Sequence, residues 1–258
     1  MKISIVIPTY ARPDLLDRVL EGIIRQTFRE YEIIVVDDAS AKEKEYQAVI
    51  NKYRSRFEEF TYLRNFENKG APFSRNKGIR EAKYEWIALV DDDDEWLPTK
   101  LEKQVAECEK GNEKLGIVYT WADAINDKKE ITFRYRSKIE GNAIRNILHD
   151  CFIPSPSVLV RKKAMLDVGL FDETFPSCQD WDMWTRIFLK GYSCRVIQSI
   201  ESFHCHHQGS SIGKSEKAHV GYYKYYTKHL SAAFMHDKAL CLKYIYRILK
   251  IKLYQTVK

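Results

Sequence analysis

A chain of 258 residues has room for one large domain or two small ones at roughly 100 to 200 residues each, and 45% hydrophobic with 30% charged residues excludes a disordered, collagen-like or repeat protein. No run approaches the ~18 consecutive apolar residues of a membrane-spanning helix, and Met1 and Lys2 lead into a short apolar stretch without signal-peptide organisation, so a cytoplasmic location is expected. The six cysteines show no CxxC pair, which favours reduced thiols, and of the net charge of +6 most lies beyond Asp237, where six basic residues follow that one acid; this argues against nucleic-acid binding and for a local contact of the tail with something anionic.

The first half alternates short apolar runs with amphipathic stretches. Residues 3–7 suit a strand buried on both faces, and Leu15, Leu16, Val19, Leu20, Ile23 and Ile24 then recur at helical spacing. The same reading predicts strands at 33–36, 60–63 and 86–90, with helices at 43–53 and 74–82 between them. Such a βαβα series implies an α/β fold with a mostly parallel sheet flanked by helices. Farther on, the spacing predicts a helix at 100–109, strands at 116–121 and 131–136, a helix at 142–148, a strand at 158–160, and helices at 162–168 and 182–189. Two long helical stretches, 216–234 and 238–253, close the chain as an appendage to a single domain.

In an open parallel sheet, ligands bind beyond the carboxyl ends of the strands. Polar clusters fall at those ends: Pro8, Thr9, Tyr10, Ala11 and Arg12; then Asp37, Asp38, Ala39 and Ser40; then Asp91, Asp92, Asp93, Asp94, Glu95 and Trp96. Four consecutive carboxylates repel one another unless a cation neutralises them, and hard oxygen ligands select Mg²⁺ or Mn²⁺. A solvated acidic turn is the alternative. Asp37 and Asp38 suit either an N-cap cluster for the helix at 43–53 or a carboxylate that accepts a hydrogen bond from a nucleobase. Arg75, at a helix start, is misplaced for the helix dipole and well placed for an anionic ligand. In the stretch Gln179, Asp180, Trp181, Asp182, Met183, Trp184, Thr185 and Arg186, one carboxylate should cap the helix, and spacing alone does not say which aspartate is free for chemistry.

Taken together in this order, residues 6–12, 36–40, 70–78 with Arg75 and Asn76, 90–98, and Gln179, Asp180, Trp184 and Arg186 resemble the inverting glycosyltransferases of family 2, which have the GT-A fold. The resemblance covers residues 1–212, a nucleotide-sugar-binding half at 1–97 and an acceptor-binding half at 98–212, and leaves 213–258 as the helical segment. It implies a nucleotide-sugar donor, UDP-linked by preference, and a saccharide or lipid-linked acceptor. Pro8, Thr9, Tyr10 and Arg12 would line the nucleoside pocket, Asp38 would contact the base, and Arg75 would reach the donor. Asp91 or Asp92 would lie near ribose and metal, Asp93 would be the main ligand of Mn²⁺ or Mg²⁺, and Asp180 matches the family's catalytic base. In the stretch Phe203, His204, Cys205, His206, His207, alternate residues of a strand point to opposite faces, so no local zinc set forms. By resemblance, His207 completes the metal site. Two departures stand out: Ala11 where asparagine is frequent, and Gln179 where glutamate often precedes the base.

Two rivals remain at this stage, a nucleotidyltransferase or metal-dependent phosphohydrolase and a non-catalytic nucleotide-sugar-binding subunit. For the tail, Leu242, Ile245, Leu249 and Leu253 recur at helical spacing with Lys243, Arg247 and Lys250 between them and Tyr244, Tyr246 and Tyr254 as interfacial anchors. That pattern suits peripheral docking on an anionic membrane, or packing on the domain or a second subunit.

Overall fold

The fold is that of a computed structural model, which describes residues 1–206 and 216–256. Strands β1 (Ile3–Thr9), β2 (Tyr31–Asp37), β3 (Glu59–Arg64) and β4 (Trp86–Leu89) alternate with helices α1 (Pro13–Ile24), α2 (Glu43–Arg54) and α3 (Ala71–Glu81). They pair in parallel in the order β3-β2-β1-β4. β1 and β2 are buried along their whole length because helices cover both faces, and that is why their sequences read as continuous apolar runs. Side chains of β1 alternate between two cores. Ile3, Ile5 and Ile7 pack with Leu16, Leu20, Tyr46 and Ile50 on one face, and Val6 packs with Ile34, Val36 and Ile79 on the other. On that second face α3 lies so close that a Cβ added to Gly78 would stand 2.5 Å from Val6 Cγ1.

Beyond β4 the sheet becomes mixed. After the two-residue β5 (Glu95–Trp96) and α4 (Lys100–Glu109) come β6 (Leu115–Asn126), β7 (Ile131–Tyr135), α5 (Ile144–His149), β8 (Val158–Arg161), α6 (Lys162–Asp167), α7 (Gln179–Leu189) and β9 (Ser193–His206). β8 runs antiparallel to β4 and β6, β7 is antiparallel to β6, β9 is parallel to β6, and β5 is antiparallel to β9. The pairing of β5 with β9 sets Glu95 opposite Phe203, which carries the histidine-rich end of β9 up to the acidic run.

Helices α8 (Glu216–Lys228), α9 (Leu230–His236) and α10 (Lys238–Thr256) end the chain. Tyr225, Ala232, Ala233, Leu240, Cys241 and Tyr244 join the same core as Ile147, Trp181 and Trp184, so these helices share the main core of the molecule. Two expectations for the tail are corrected by this packing. Tyr244 is fully buried with its hydroxyl donating to the Leu148 carbonyl, so it anchors the core and no interface. Arg247 turns towards Tyr226 at 2.6 Å and does not join the outward lysines.

Candidate active site

The carboxyl ends of β1, β2 and β4 open into one cleft of about 1290 Å³. Its lining brings together Pro8, Thr9, Tyr10 and Arg12 after β1, Asp38 after β2, Arg75 on α3, Asp91, Asp92 and Asp93 after β4, and Asp180 on α7. The expectation for His207 lies outside the described residues.

The acidic run is threaded between two arginines. Asp92 is fully buried, accepts the Thr9 hydroxyl at 2.7 Å and pairs with Arg12, whose other terminal nitrogen reaches Asp93 at 2.7 Å. Burial pushes the Asp92 carboxyl up to about 7, against the pull of Arg12 and the Thr9 bond. On the other side, Arg75 Nη2 donates to Asp91 at 2.6 Å and Nη1 to Gln179 Oε1 at 3.1 Å. Burial works to raise Asp91, and the Arg75 guanidinium outweighs it, leaving that carboxyl below its ordinary value. The helix carrying Arg75 starts at Ala71, earlier than expected, because Gly70 (φ 87°) turns the chain and Pro72 presets the first turn. Arg75 is therefore a buried second-turn residue, and no dipole-exposed cation at the helix start.

Neither aspartate after β2 caps α2. Asp37 accepts Ser40 N at 3.0 Å and the Tyr62 hydroxyl at 3.0 Å. Asp38 accepts Asn65 Nδ2 at 2.8 Å, Lys69 N at 3.0 Å and Gly70 N at 2.7 Å, clamping the loop that leads into α3. Two of these bonds fall on Oδ1 and one on Oδ2, so Oδ2 keeps acceptor capacity towards the cleft.

α7 begins at Gln179, three residues before the expected start, after Cys178 in the left-handed region (φ 59°). Asp180 thus sits in the first turn, accepting Trp181 N at 2.8 Å. Its carboxyl is raised by burial, which the Trp181 bond and the Arg75 charge only partly offset. Asp182 points the other way, into an ion cluster with Arg186, Lys228 and His229, each within 2.9 Å.

A family model described as glycosyl transferase family 2 matches residues 4–169. The chain belongs to that family. Among its relatives, an Escherichia coli K12 protein, WcaA, whose name provisionally links it to colanic acid biosynthesis, is 28% identical over 238 residues, 88% of this chain and 81% of that protein. An uncharacterized glycosyltransferase of Methanocaldococcus jannaschii is 26% identical over 229 residues, 87% and 77% of the two chains. One from Rickettsia bellii is 29% identical over 220 residues, and there the match spans 81% of this chain but only 30% of the relative. In fold, S. aureus TarS residues 1–349, in complex with UDP-GlcNAc, superposes with a TM-score of 0.76 at 19% identity over 96% of this chain and 72% of TarS. The mannosyltransferase PcManGT of Pyrobaculum calidifontis, in complex with GDP-Man and Mn²⁺, gives 0.62 at 18% identity over 98% and 69% of the two chains. The architecture is the GT-A fold of family 2. The matched residues end before α7 and so do not include Asp180.

For a family 2 cleft, the donor atoms fit a hard divalent cation: Asp91 and Asp93 offer carboxylate oxygens whose charge is balanced here by Arg75 and Arg12. Among the described residues, no three His, Cys, Asp or Glu side chains converge on one point, so the two aspartates supply only part of a coordination shell.

Sequence reasoning missed four contributors to this family 2 cleft, His204, Tyr222, Tyr226 and Arg247. His204 donates or accepts at 2.9 Å with the buried Asp94, which burial holds up at about 6 while His204, despite its own burial, is lifted to about 9 by that carboxylate. At neutral pH the pair is therefore carboxylate and imidazolium. Tyr222 and Tyr226 on α8, four apart on one helix face, and Arg247 on α10 also line the cleft; the i, i+4 spacing was the only sequence signal of the two tyrosines.

Ala11, in place of the frequent asparagine, sits at φ 58°. An alanine in the left-handed region costs about 1 to 2 kcal/mol, whereas asparagine visits it routinely. Ala11→Asn is expected to raise the melting temperature by roughly 2 °C or more; calorimetry showing no rise would overturn this account of the turn.

Proposed function

We propose that this chain is an inverting, metal-dependent glycosyltransferase that moves a sugar from a nucleotide-sugar donor, UDP-linked in preference, to a hydroxyl of a saccharide or lipid-linked acceptor in cell-surface polysaccharide synthesis. The observation that carries the reading is the convergence of Asp91, Asp92 and Asp93 with Asp180 in one cleft of a family 2 fold. TarS in complex with UDP-GlcNAc supports the choice of donor, and PcManGT in complex with Mn²⁺ supports the metal.

In this reading the acceptor oxygen bonds to the anomeric carbon from the face opposite the diphosphate, the carbon–oxygen bond to the diphosphate breaks, and the acceptor's proton passes to Asp180. A carboxylate raised by burial holds that proton better than an exposed one. Arg75 keeps Asp91 ionised and has a buried Nε with no hydrogen-bond partner among the described residues. Asp38 accepts from the base through the remaining capacity of Oδ2, while Thr9 and Arg12 hold Asp92 in place. A divalent cation on Asp93 and Asp91 would neutralise charge on the leaving diphosphate. Calorimetry of UDP binding tests this: affinity should be much higher with Mn²⁺ or Mg²⁺ than in EDTA, and Asp93→Ala should abolish the difference. Equal affinity in both buffers sinks the metal role.

No helix among the described residues is long and apolar enough to cross a membrane. α10 supports a peripheral contact instead. Opposite its buried side, Leu242, Ile245, Tyr246, Leu249 and Leu253 are 69%, 40%, 64%, 55% and 67% exposed, spanning an arc of about 100° at 100° per residue. Exposed Lys243 and Lys250 line one edge of that arc, which matches an anionic lipid surface, each lysine adding roughly 1 kcal/mol there. Sedimentation with anionic vesicles should show salt-sensitive binding that Leu242→Glu with Leu249→Glu removes. Equal binding to neutral vesicles, or none to either kind, overturns the contact.

A further inference from the structure

The C-terminal helices give the cleft a wall of their own, made by Ala218, Tyr222, Tyr226 and Arg247. Arg247 is half-buried, with its guanidinium 5.1 Å from the Tyr226 ring centre and Nη1 donating to the Tyr226 hydroxyl at 2.6 Å. Arg12, Arg75 and Arg136 in the same cleft each hold a carboxylate, while Arg134, also in its lining, is exposed on β7. Among the described residues none comes within ion-pair distance of Arg247. A guanidinium that is stacked, hydrogen-bonded and partly removed from water, yet without a counter-ion, is organised in advance for one; its planar fork matches a phosphate or carboxylate with two parallel bonds.

Its location points to the acceptor rather than to the donor. Tyr222 stacks on Tyr226 with centroids 6.2 Å apart and 14° between planes, and both rings meet Trp181 edge-on at 6.3 and 6.1 Å, so this wall packs against the residue that follows the proposed base. The donor half has its own cations in Arg12 and Arg75, each already neutralised by the acidic run.

We propose that Arg247, held by Tyr226, is a subsite for an oxyanion, phosphate or carboxylate, carried by the acceptor. This rests on the glycosyltransferase reading of the cleft. It also makes α10 bifunctional, with a cation at the cleft and an exposed apolar ladder on its outer side.

The test uses the full chain with UDP and diamagnetic Mg²⁺ saturating, so that the donor cations are occupied, and three probes: glucose, glucose 1-phosphate and glucuronate. Dissociation constants are read by protein-observed NMR. One or both anionic probes should bind roughly tenfold tighter than glucose, the increment of a charge-assisted bidentate contact. Glucose 1-phosphate alone showing the gain assigns phosphate, and glucuronate alone assigns carboxylate. Arg247→Gln should erase the preference and Arg247→Lys retain part of it, both with wild-type UDP affinity and melting temperature. No preference in the wild type, or one that survives Arg247→Gln, overturns the subsite. Loss of UDP binding by the wild type would instead strike the donor reading, and the same probe comparison without UDP would still decide for or against Arg247.

Discussion

Asp180→Asn is expected to lower sugar transfer by at least roughly 10²-fold, the usual contribution of a positioned general base, with little change in UDP affinity. Asparagine has nearly the same shape, and its Oδ1 can still accept the Trp181 N–H that Asp180 accepts at 2.8 Å, so the start of α7 should be preserved. What is lost is the ability to take a proton. The base must be ionised to act, and burial raises the Asp180 carboxyl above its ordinary 3.8. Transfer by the wild type should therefore fall as pH drops through that raised value, on the alkaline side of the normal carboxylate range. Single-turnover rates across pH, paired with calorimetric UDP affinities, separate the two effects. Near-normal transfer by Asp180→Asn would reduce Asp180 to a helix-start residue. Asp182 could not then take over, because it is fully buried among cations and does not line the cleft.

How much of this was legible in the sequence differs between the two halves. β1, β2 and β4 announced themselves because both faces of a central parallel strand are covered, which forces continuous apolar runs, and the polar clusters that follow them mark one rim of the sheet. β9 did not. Arg195 and Glu201 interrupt its apolar pattern, and only tertiary partners, Glu107 for the first and Lys103 for the second, explain them. His204 was lost with that strand, since its place beside Asp94 follows from β5 pairing with β9 across a sequence gap of about a hundred residues. The tail shows a different limit. α10 is apolar on two sides, and periodicity finds an apolar face without saying which one the core takes; the core takes Leu240, Cys241 and Tyr244 and leaves Leu242, Ile245 and Leu249 outside. Arg247, between those faces, could be assigned to the cleft only once Tyr226 was in place beside it.

The largest stability effect is expected at Asp182, because this one carboxylate joins α7 to the C-terminal helices. Its oxygens meet Arg186 at 2.7 Å, Lys228 at 2.9 Å and His229 at 2.9 Å, in a site with no exposure of the aspartate at all. Asp182→Ala removes the one carboxylate shared by Arg186, Lys228 and His229 and leaves Lys228 with Asp172 at 2.7 Å, a change that costs about 3 to 5 kcal/mol when a buried pair loses one partner. For a chain of this length, that lowers the melting temperature by roughly 6 to 20 °C. The acid dependence has a defined sign. Burial would raise the Asp182 carboxyl, but His229, Arg186 and Lys228 outweigh it and hold it at about 2 against an ordinary 3.8. A depressed carboxylate contributes stability above the unfolded value and loses it as pH falls through the folded one, so the advantage of wild type over Asp182→Asn should shrink between about pH 4 and pH 2 by roughly 2 kcal/mol. Hydrogen exchange should show α8 and α10 loosening first in Asp182→Ala, since Tyr225 stacks on Trp181 at 3.9 Å and that contact depends on the same seam. Tyr222, Tyr226 and Arg247 leave the cleft with those helices, so the variant should keep UDP binding, which in the proposed reading rests on β1 to β4, while any anionic-acceptor preference disappears. If α8 exchanges no faster than in wild type, the seam is held by the tyrosine cluster alone and Asp182 is dispensable to it.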